Sequence, residues 1–139
     1  YKRNMLKKIK DANLEDRILF LGKKPFEDLP KLFQGMTVVA ALSRNEGYGL
    51  TPLEGMASGA AVLTSSEGVW DELVRDGVDG YVVKTNDVHQ TAKRLNTLIE
   101  NSSKTKIMGE NAAKYISENF SVEKEAKKII QHIRDVQNI

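Results

Sequence analysis

Residues 37–64 read TVVAALSRNEGYGLTPLEGMASGAAVLT, and their order decides the fold. Residues 37–42 form a short continuous apolar run, the pattern of a strand buried on both faces. Residues 43–50 are a loop holding Gly47 and Gly49. Residues 51–58 suit a helix, which Gly59 stops. Residues 61–64 are a second apolar run of strand length. Two buried strands joined through a helix are the repeating unit of a parallel sheet, since parallel neighbours need a crossover.

The pattern continues outward in both directions. Upstream, residues 18–21 (Ile-Leu-Phe-Leu) end at Gly22 and predict another buried strand. Residues 25–35 predict a helix starting near Glu27, with Pro30 tolerated in a first turn that has no internal N–H bonds to lose. Residues 1–11 suit an amphipathic helix, with Tyr1, Met5, Leu6 and Ile9 on one face and lysines opposite. Downstream, a short helix over 69–75 precedes a fourth strand over 81–83. Three helices follow. The first is capped by Asp87 and Gln90 and carries Val88, Ala92, Leu95, Leu98 and Ile99 on one face. The second, over 104–118, turns Ile107, Met108, Tyr115 and Ile116 inward. The third is capped by Ser121 and repeats Val122, Ala126, Ile129, Ile130, Ile133 and Val136 at helical spacing. The expected architecture is an α/β, Rossmann-like doubly wound parallel sheet of four strands with helices on both faces. Such sheets bind ligands at the carboxyl ends of their strands.

Composition narrows the function classes. At 139 residues, 40% hydrophobic and 29% charged, the chain is an ordinary globular domain. It has no cysteine, which excludes a disulfide framework, a thiolate zinc site and a cysteine nucleophile. No apolar run approaches the ~20 residues of a membrane span. The net charge of +2 conceals a basic start, an acidic centre (−6 over residues 45–87) and a basic end. An acidic centre and only 6% aromatic residues argue against nucleic acid as a partner. The chain opens on Tyr1 with no apolar segment of a signal peptide, and the expectation is a piece of something longer.

The loop of residues 43–50 carries the chemistry. Gly47 and Gly49 let the backbone turn and let a ligand approach. The helix that follows aims its unpaired N–H groups at the crevice, a place suited to a phosphate. Two carboxylates flank this nest, Glu46 in the loop and Glu54 in the first helical turn. A carboxylate accepts hydrogen bonds from neighbouring hydroxyls. Phosphate donors between two such acceptors describe a nucleotide-sugar site. A structural reading stands beside this one and is compatible with it: Thr51-Pro52-x-Glu54 has the form of a capping box with proline at the first helical position, which would employ Glu54 in the helix start.

The string from Glu46 to Gly59, with Glu-Gly-Tyr-Gly-Leu at 46–50 and Met-Ala-Ser-Gly at 56–59, resembles the signature of GT-B retaining glycosyltransferases of the GT4 type, the group 1 glycosyl transferases. The resemblance extends to Phe20-Leu21-Gly22, to Leu32-Phe33, to Asp71-Glu72-Leu73-Val74 with Asp76-Gly77 and Gly80, and to Asn119-Phe120-Ser121. It implies the C-terminal, donor-binding half of such an enzyme, entered partway through its first strand–helix units. It also implies roles. Glu46 would be the catalytic-site acceptor for donor-sugar hydroxyls. The backbone of Gly47, Tyr48, Gly49, Leu50 and Thr51 would hold sugar hydroxyls and the distal phosphate. Glu54 would accept from the ribose, and Gly22 and Lys23 would lie near the base. The donor would be a UDP- or GDP-sugar and the acceptor a glycan or lipid-linked glycan. Reaction would proceed with retention, without a cofactor or metal, in the cytoplasm or at the inner face of its membrane.

Thr37, Leu42, Ala61 and Val122 depart from residues common in the family, at positions that bear on packing. Leu-Thr-Pro-Leu-Glu at 50–54 resembles bacterial enzymes of lipopolysaccharide and surface-glycan synthesis, some of them mannosyltransferases. The Arg/Lys pair that neutralises the donor diphosphate in the family has no match here, and Lys23 and Lys24 stand at other positions. The sequence also lacks a third glycine for a dinucleotide fingerprint, a phosphate loop and any Asp-x-Asp. His89 and His132 fall in separate helices, too far apart in sequence to suggest a metal site. Trp70 reads as packing beside the crevice. Two alternatives stay open at this point: a non-catalytic nucleotide or sugar-phosphate binding module, and a GT-B-fold nucleotide-sugar epimerase.

Overall fold

The computed structural model describes residues 2–137, the last by its backbone alone. Helix α1 (Lys2–Asp11), a 3-10 turn (Glu15–Arg17), a second 3-10 turn (Phe26–Asp28) and helix α2 (Leu29–Gln34) lead into strand β1 (Val38–Ala41). Then come α3 (Thr51–Ala57), β2 (Ala61–Ser65), α4 (Trp70–Leu73) and β3 (Gly80–Val83). Helices α5 (Val88–Glu100), α6 (Ser102–Asn119) and α7 (Val122–Gln137) close the chain.

The sheet is parallel throughout, in the order β1-β2-β3, with Val39 beside Val62 and Leu63 beside Tyr81. Every residue of the central strand β2 is buried. Val62 joins Phe33, Val39, Met56, Trp70 and Val74 on one face. Ala61 and Leu63 join Tyr81, Val83, Leu98 and Met108 on the other. Burial on both faces is why β2 is an unbroken apolar run, and it makes the sheet doubly wound.

The expected strand at 18–21 is absent from the described sheet, which has three strands and not four. Ile18, Leu19, Phe20 and Leu21 belong to no helix or strand and are exposed, Leu19 by 80%. A strand forms only where a neighbour supplies the other half of its ladder, and no described strand runs beside this segment. β1 differs from expectation for a related reason. It lies at the sheet edge, so Ala40 is exposed where a strand buried on both faces was expected.

The closing helices pack partly as their stripes predict. Asp87 caps α5 by accepting from the Gln90 N–H at 2.8 Å. Gln90 completes no box; its carbonyl accepts from the Lys84 N–H instead. Leu98 is buried, whereas Val88, Ala92 and Ile99 are exposed. On α6, Met108 is buried and Tyr115 and Ile116 pack against the core, but Ile107 faces outward. The close approach is made by small residues, Thr105, Gly109 and Ala112. The Ser121 hydroxyl accepts from the Lys124 N–H at 3.3 Å, as its cap position predicts. The stripe of α7, including Val122, Ile129, Ile130, Ile133 and Val136, is exposed. On α1, Ile9 is buried, Met5 half-buried and Leu6 exposed, while Tyr1 lies outside the described residues.

At the amino end of β3, the fully buried Asp79 carboxylate accepts from the Arg75 backbone N–H, Nε and Nη2. The hydrogen bond to Asp79 holds the Arg75 guanidinium above its ordinary pKa range. A buried carboxylate is tolerable only with such a partner.

A β-carbon added at Gly109 would overlap the carbonyl oxygen of Gly59, in the turn before β2. Gly109→Ala gains about 1 kcal/mol of helix propensity, yet the overlap is with backbone and has no rotamer to relieve it. The expected net loss is about 1–3 kcal/mol, read by urea denaturation. At Gly35 the same added carbon would make an ordinary 3.5 Å contact with the Leu32 oxygen. Equal stabilities for Gly109→Ala and Gly35→Ala would contradict this packing account.

Candidate functional site

The crevice forms where the parallel strands release their chain. After β1 the backbone runs outward as the loop of residues 42–50 and re-enters at α3. Gly49 stands at φ +53°, a left-handed conformation that glycine adopts at low cost. It also makes room: a β-carbon there would come within 2.9 Å of Glu46 Cδ. The Glu46 carboxylate therefore folds back over its own loop, half-buried, and accepts a hydrogen bond from the Ser43 hydroxyl at 2.8 Å.

The start of α3 does not form the capping box that the sequence offers. A capping box would place Thr51 at the cap with Glu54 reaching back to it. Instead Leu50 holds the cap position, Thr51 is already the first helical residue, and no side chain caps the helix. Glu54 enters the helix through its backbone N–H, bonded to the Leu50 oxygen at 2.9 Å. Leu50 has no side-chain acceptor, so the Ser/Thr-to-Glu exchange has nothing to act on. Among the described residues the Glu54 carboxylate has no hydrogen-bond or ion-pair partner. It is half-buried.

Glu54 also borders a cleft of about 200 Å³, whose other walls are Phe26, Leu29, Pro30, Phe33, Ala57 and Ser58. This apolar recess follows from the local sequence. Pro30 in the first turn of α2 and the 3-10 turn before it set Phe26 over the gap between α2 and α3, and Phe26 remains 76% exposed. Gly22 and Lys23 do not line this cleft.

Tyr48 and Leu50 project from the loop, 51% and 61% exposed, and Gly47 and Thr51 are exposed beside them. Glu46, Gly47, Tyr48, Gly49 and Leu50 follow one another along this loop, Thr51 opens α3, and Glu54 stands in its first turn. Trp70 lies in the core, 1% exposed, and does not border the crevice. His89 and His132 are exposed on α5 and α7. Among the described residues no group of three His, Cys, Asp or Glu side chains is arranged to hold a metal. No described helix is long and apolar enough to cross a membrane. Ser43, Ser65 and Gly68, for which the sequence gives no signal, also contact this loop or its base.

Comparison with known proteins places this geometry. The family "Glycosyl transferases group 1" matches residues 1–115. The chain is 42% identical over 118 residues to the lipopolysaccharide core biosynthesis mannosyltransferase LpcC of Rhizobium leguminosarum bv. viciae, covering 85% of this chain and 33% of that protein. Its structure superposes with a TM-score of 0.87 on Anabaena Alr3699/HepE crystallised with UDP, at 29% identity over 97% of this chain and 37% of the other. It superposes with a TM-score of 0.81 on the C-terminal domain of the group 1 protein LpcC from Francisella tularensis, at 30% identity over 87% of this chain and 63% of that one. The chain spans about a third of the length of the curated relatives it matches. The chain belongs to the group 1 glycosyl transferases, and its fold is that of their C-terminal GT-B domain.

Proposed function

We propose that this chain binds the nucleotide-sugar donor of a retaining glycosyltransferase that passes a hexose to a glycan or lipid-linked acceptor. One observation carries the reading: Glu54, freed from the helix start, stands between the loop of Glu46 and an apolar recess of about 200 Å³. A nucleotide sugar offers groups in that order, a flat base, ribose hydroxyls, a diphosphate and a hexose. The recess of Phe26, Pro30 and Phe33 takes the base. Glu54 accepts from the ribose hydroxyls, since an ionised carboxylate is an acceptor only. Backbone N–H groups of Gly49, Leu50 and Thr51 face the diphosphate. Glu46 accepts from hexose hydroxyls and fixes the sugar's orientation for reaction at its anomeric carbon. The departing diphosphate is stabilised by directed donors, and the reading assigns no metal to that step.

Two findings about other proteins support it. HepE was crystallised with UDP and with UDP-glucose. Relatives in two Rhizobium species are named for lipopolysaccharide core mannosyl transfer. A UDP- or GDP-linked hexose and an acceptor of the surface-glycan class fit both.

The 139-residue chain is expected to bind donor without transferring it, because transfer needs a closed cleft that excludes water and admits an acceptor. Incubation with UDP-glucose and GDP-mannose, with binding followed by NMR and product by mass spectrometry, checks this. Saturable binding of at least one donor with no glycoside formed is the expected result. Transfer by the isolated chain would contradict the two-domain reading, and binding of neither would contradict donor recognition.

A further inference from the structure

We infer that Ser43 and Ser65 are positioning residues that set the Glu46 carboxylate for the sugar, an inference that rests on the donor reading above. Ser65 ends the central strand and is 3% exposed. Its hydroxyl donates to the Ser43 carbonyl oxygen at 2.7 Å, across 22 residues of sequence. The Ser43 hydroxyl donates in turn to Glu46 Oε2 at 2.8 Å. The chain of bonds therefore runs from the most buried strand of the sheet to the carboxylate at the mouth of the crevice.

Each link has a distinct consequence. The bond to the Ser43 carbonyl pins the point where the loop leaves β1, because Ser65 itself cannot move without disturbing β2. The bond to Oε2 occupies one carboxylate oxygen, and Oε1, which lies beside Gly49, has no hydrogen-bond partner among the described residues. Two glycines fill out the frame. Gly49 leaves space for the Glu46 side chain to lie back over the loop. Gly68, at φ +70° in the turn after β2, packs so closely on the carbonyls of Glu46 and Gly47 that a β-carbon would overlap the Gly47 oxygen. A carboxylate held by a serine that is itself pinned to a buried strand, and backed by a second loop, loses little entropy when a sugar arrives. A loop carboxylate free in solvent would lose more.

The test compares the affinity of a nucleotide sugar with that of its bare nucleoside diphosphate, since only the sugar reports on Glu46. The probes are UDP-glucose against UDP and GDP-mannose against GDP, titrated into the intact chain and followed by NMR. Glu46→Gln is the reference variant. Ser43→Ala and Ser65→Ala are each expected to lower the sugar-to-diphosphate affinity ratio about 3- to 10-fold relative to wild type, the worth of one hydrogen bond. Diphosphate affinity should stay unchanged. Ser43→Thr, which keeps the hydroxyl, should restore the ratio, a rescue that loss of packing alone would not give. Ser43→Ala combined with Glu46→Gln should cost no more than Glu46→Gln alone, because the serine acts through the glutamate. If Glu46→Gln lowers the ratio while Ser43→Ala leaves it at the wild-type value, the relay is overturned and the donor reading stands. If Glu46→Gln itself leaves the ratio unchanged, the assignment of Glu46 to the sugar falls first.

Discussion

Truncation of Trp70 to alanine is expected to cost about 3–5 kcal/mol of folding free energy, out of the ~5–15 kcal/mol typical of a domain. Trp70 is the only tryptophan and is 1% exposed. It packs with Met56, Val62, Val74 and Ala112, which come from α3, β2, the end of α4 and α6. Helix α4 has just four residues, far too few to hold itself by backbone bonds. Its position comes from the indole it buries. The turn carrying Gly68 precedes it directly, so the effect should reach the crevice, with a looser Gly68 contact on the Glu46 and Gly47 carbonyls. Urea denaturation followed by far-ultraviolet circular dichroism measures the loss, since the variant lacks its own fluorophore. A loss below about 0.5 kcal/mol, the size of an ordinary surface substitution, would contradict the core position of Trp70.

The second large effect separates the two carboxylates. Glu54→Ala should weaken UDP or GDP and the corresponding nucleotide sugar alike, by about 10- to 100-fold, the range for hydrogen bonds to a charged group. Glu46→Ala should weaken the nucleotide sugar by a similar factor and leave the bare diphosphate unchanged. The difference arises from where each carboxylate stands, Glu54 against the apolar recess and Glu46 in the loop, held by Ser43. Calorimetric titration of both ligands into both variants gives the four numbers. Equal behaviour of the two variants would mean that the ligand does not lie along the axis proposed. Neither substitution should unfold the chain, because Glu54 has no partner and Glu46 bonds only to a nearby serine among the described residues.

Much of this was legible in the residues, and the misreadings share physical causes. The run at 61–64 reads correctly because β2 is covered on both faces, the one setting in which an unbroken apolar run has a single meaning. The run at 18–21 looks the same in sequence, but a strand is defined by its neighbour, and the neighbour is not written in the segment itself. On α6, counting large apolar residues selected Ile107, while the helix approaches the sheet through Thr105, Gly109 and Ala112. Close packing of backbones uses small side chains, which hydrophobic periodicity ranks low. The capping pattern at 51–54 is present letter for letter, yet the helix begins one residue earlier, with Leu50 at its cap. A one-residue shift is within the ordinary uncertainty of helix ends, and here it leaves the capping box unformed. The site loop itself was legible because its glycines and flanking carboxylates lie within one short stretch. The Ser65–Ser43 bond was not, since it joins residues 22 apart through tertiary structure.

Donor recognition by this loop is tested most directly by mapping the amide and side-chain NMR shifts of the isotopically labelled chain during titration with UDP-glucose and with GDP-mannose. The largest saturable shifts from the donor that binds are predicted at the amides of Gly47, Gly49, Leu50 and Thr51, at the carboxyl carbons of Glu46 and Glu54, and at the rings of Phe26 and Phe33. Saturable shifts confined to other surfaces, with these groups unmoved, would contradict the account.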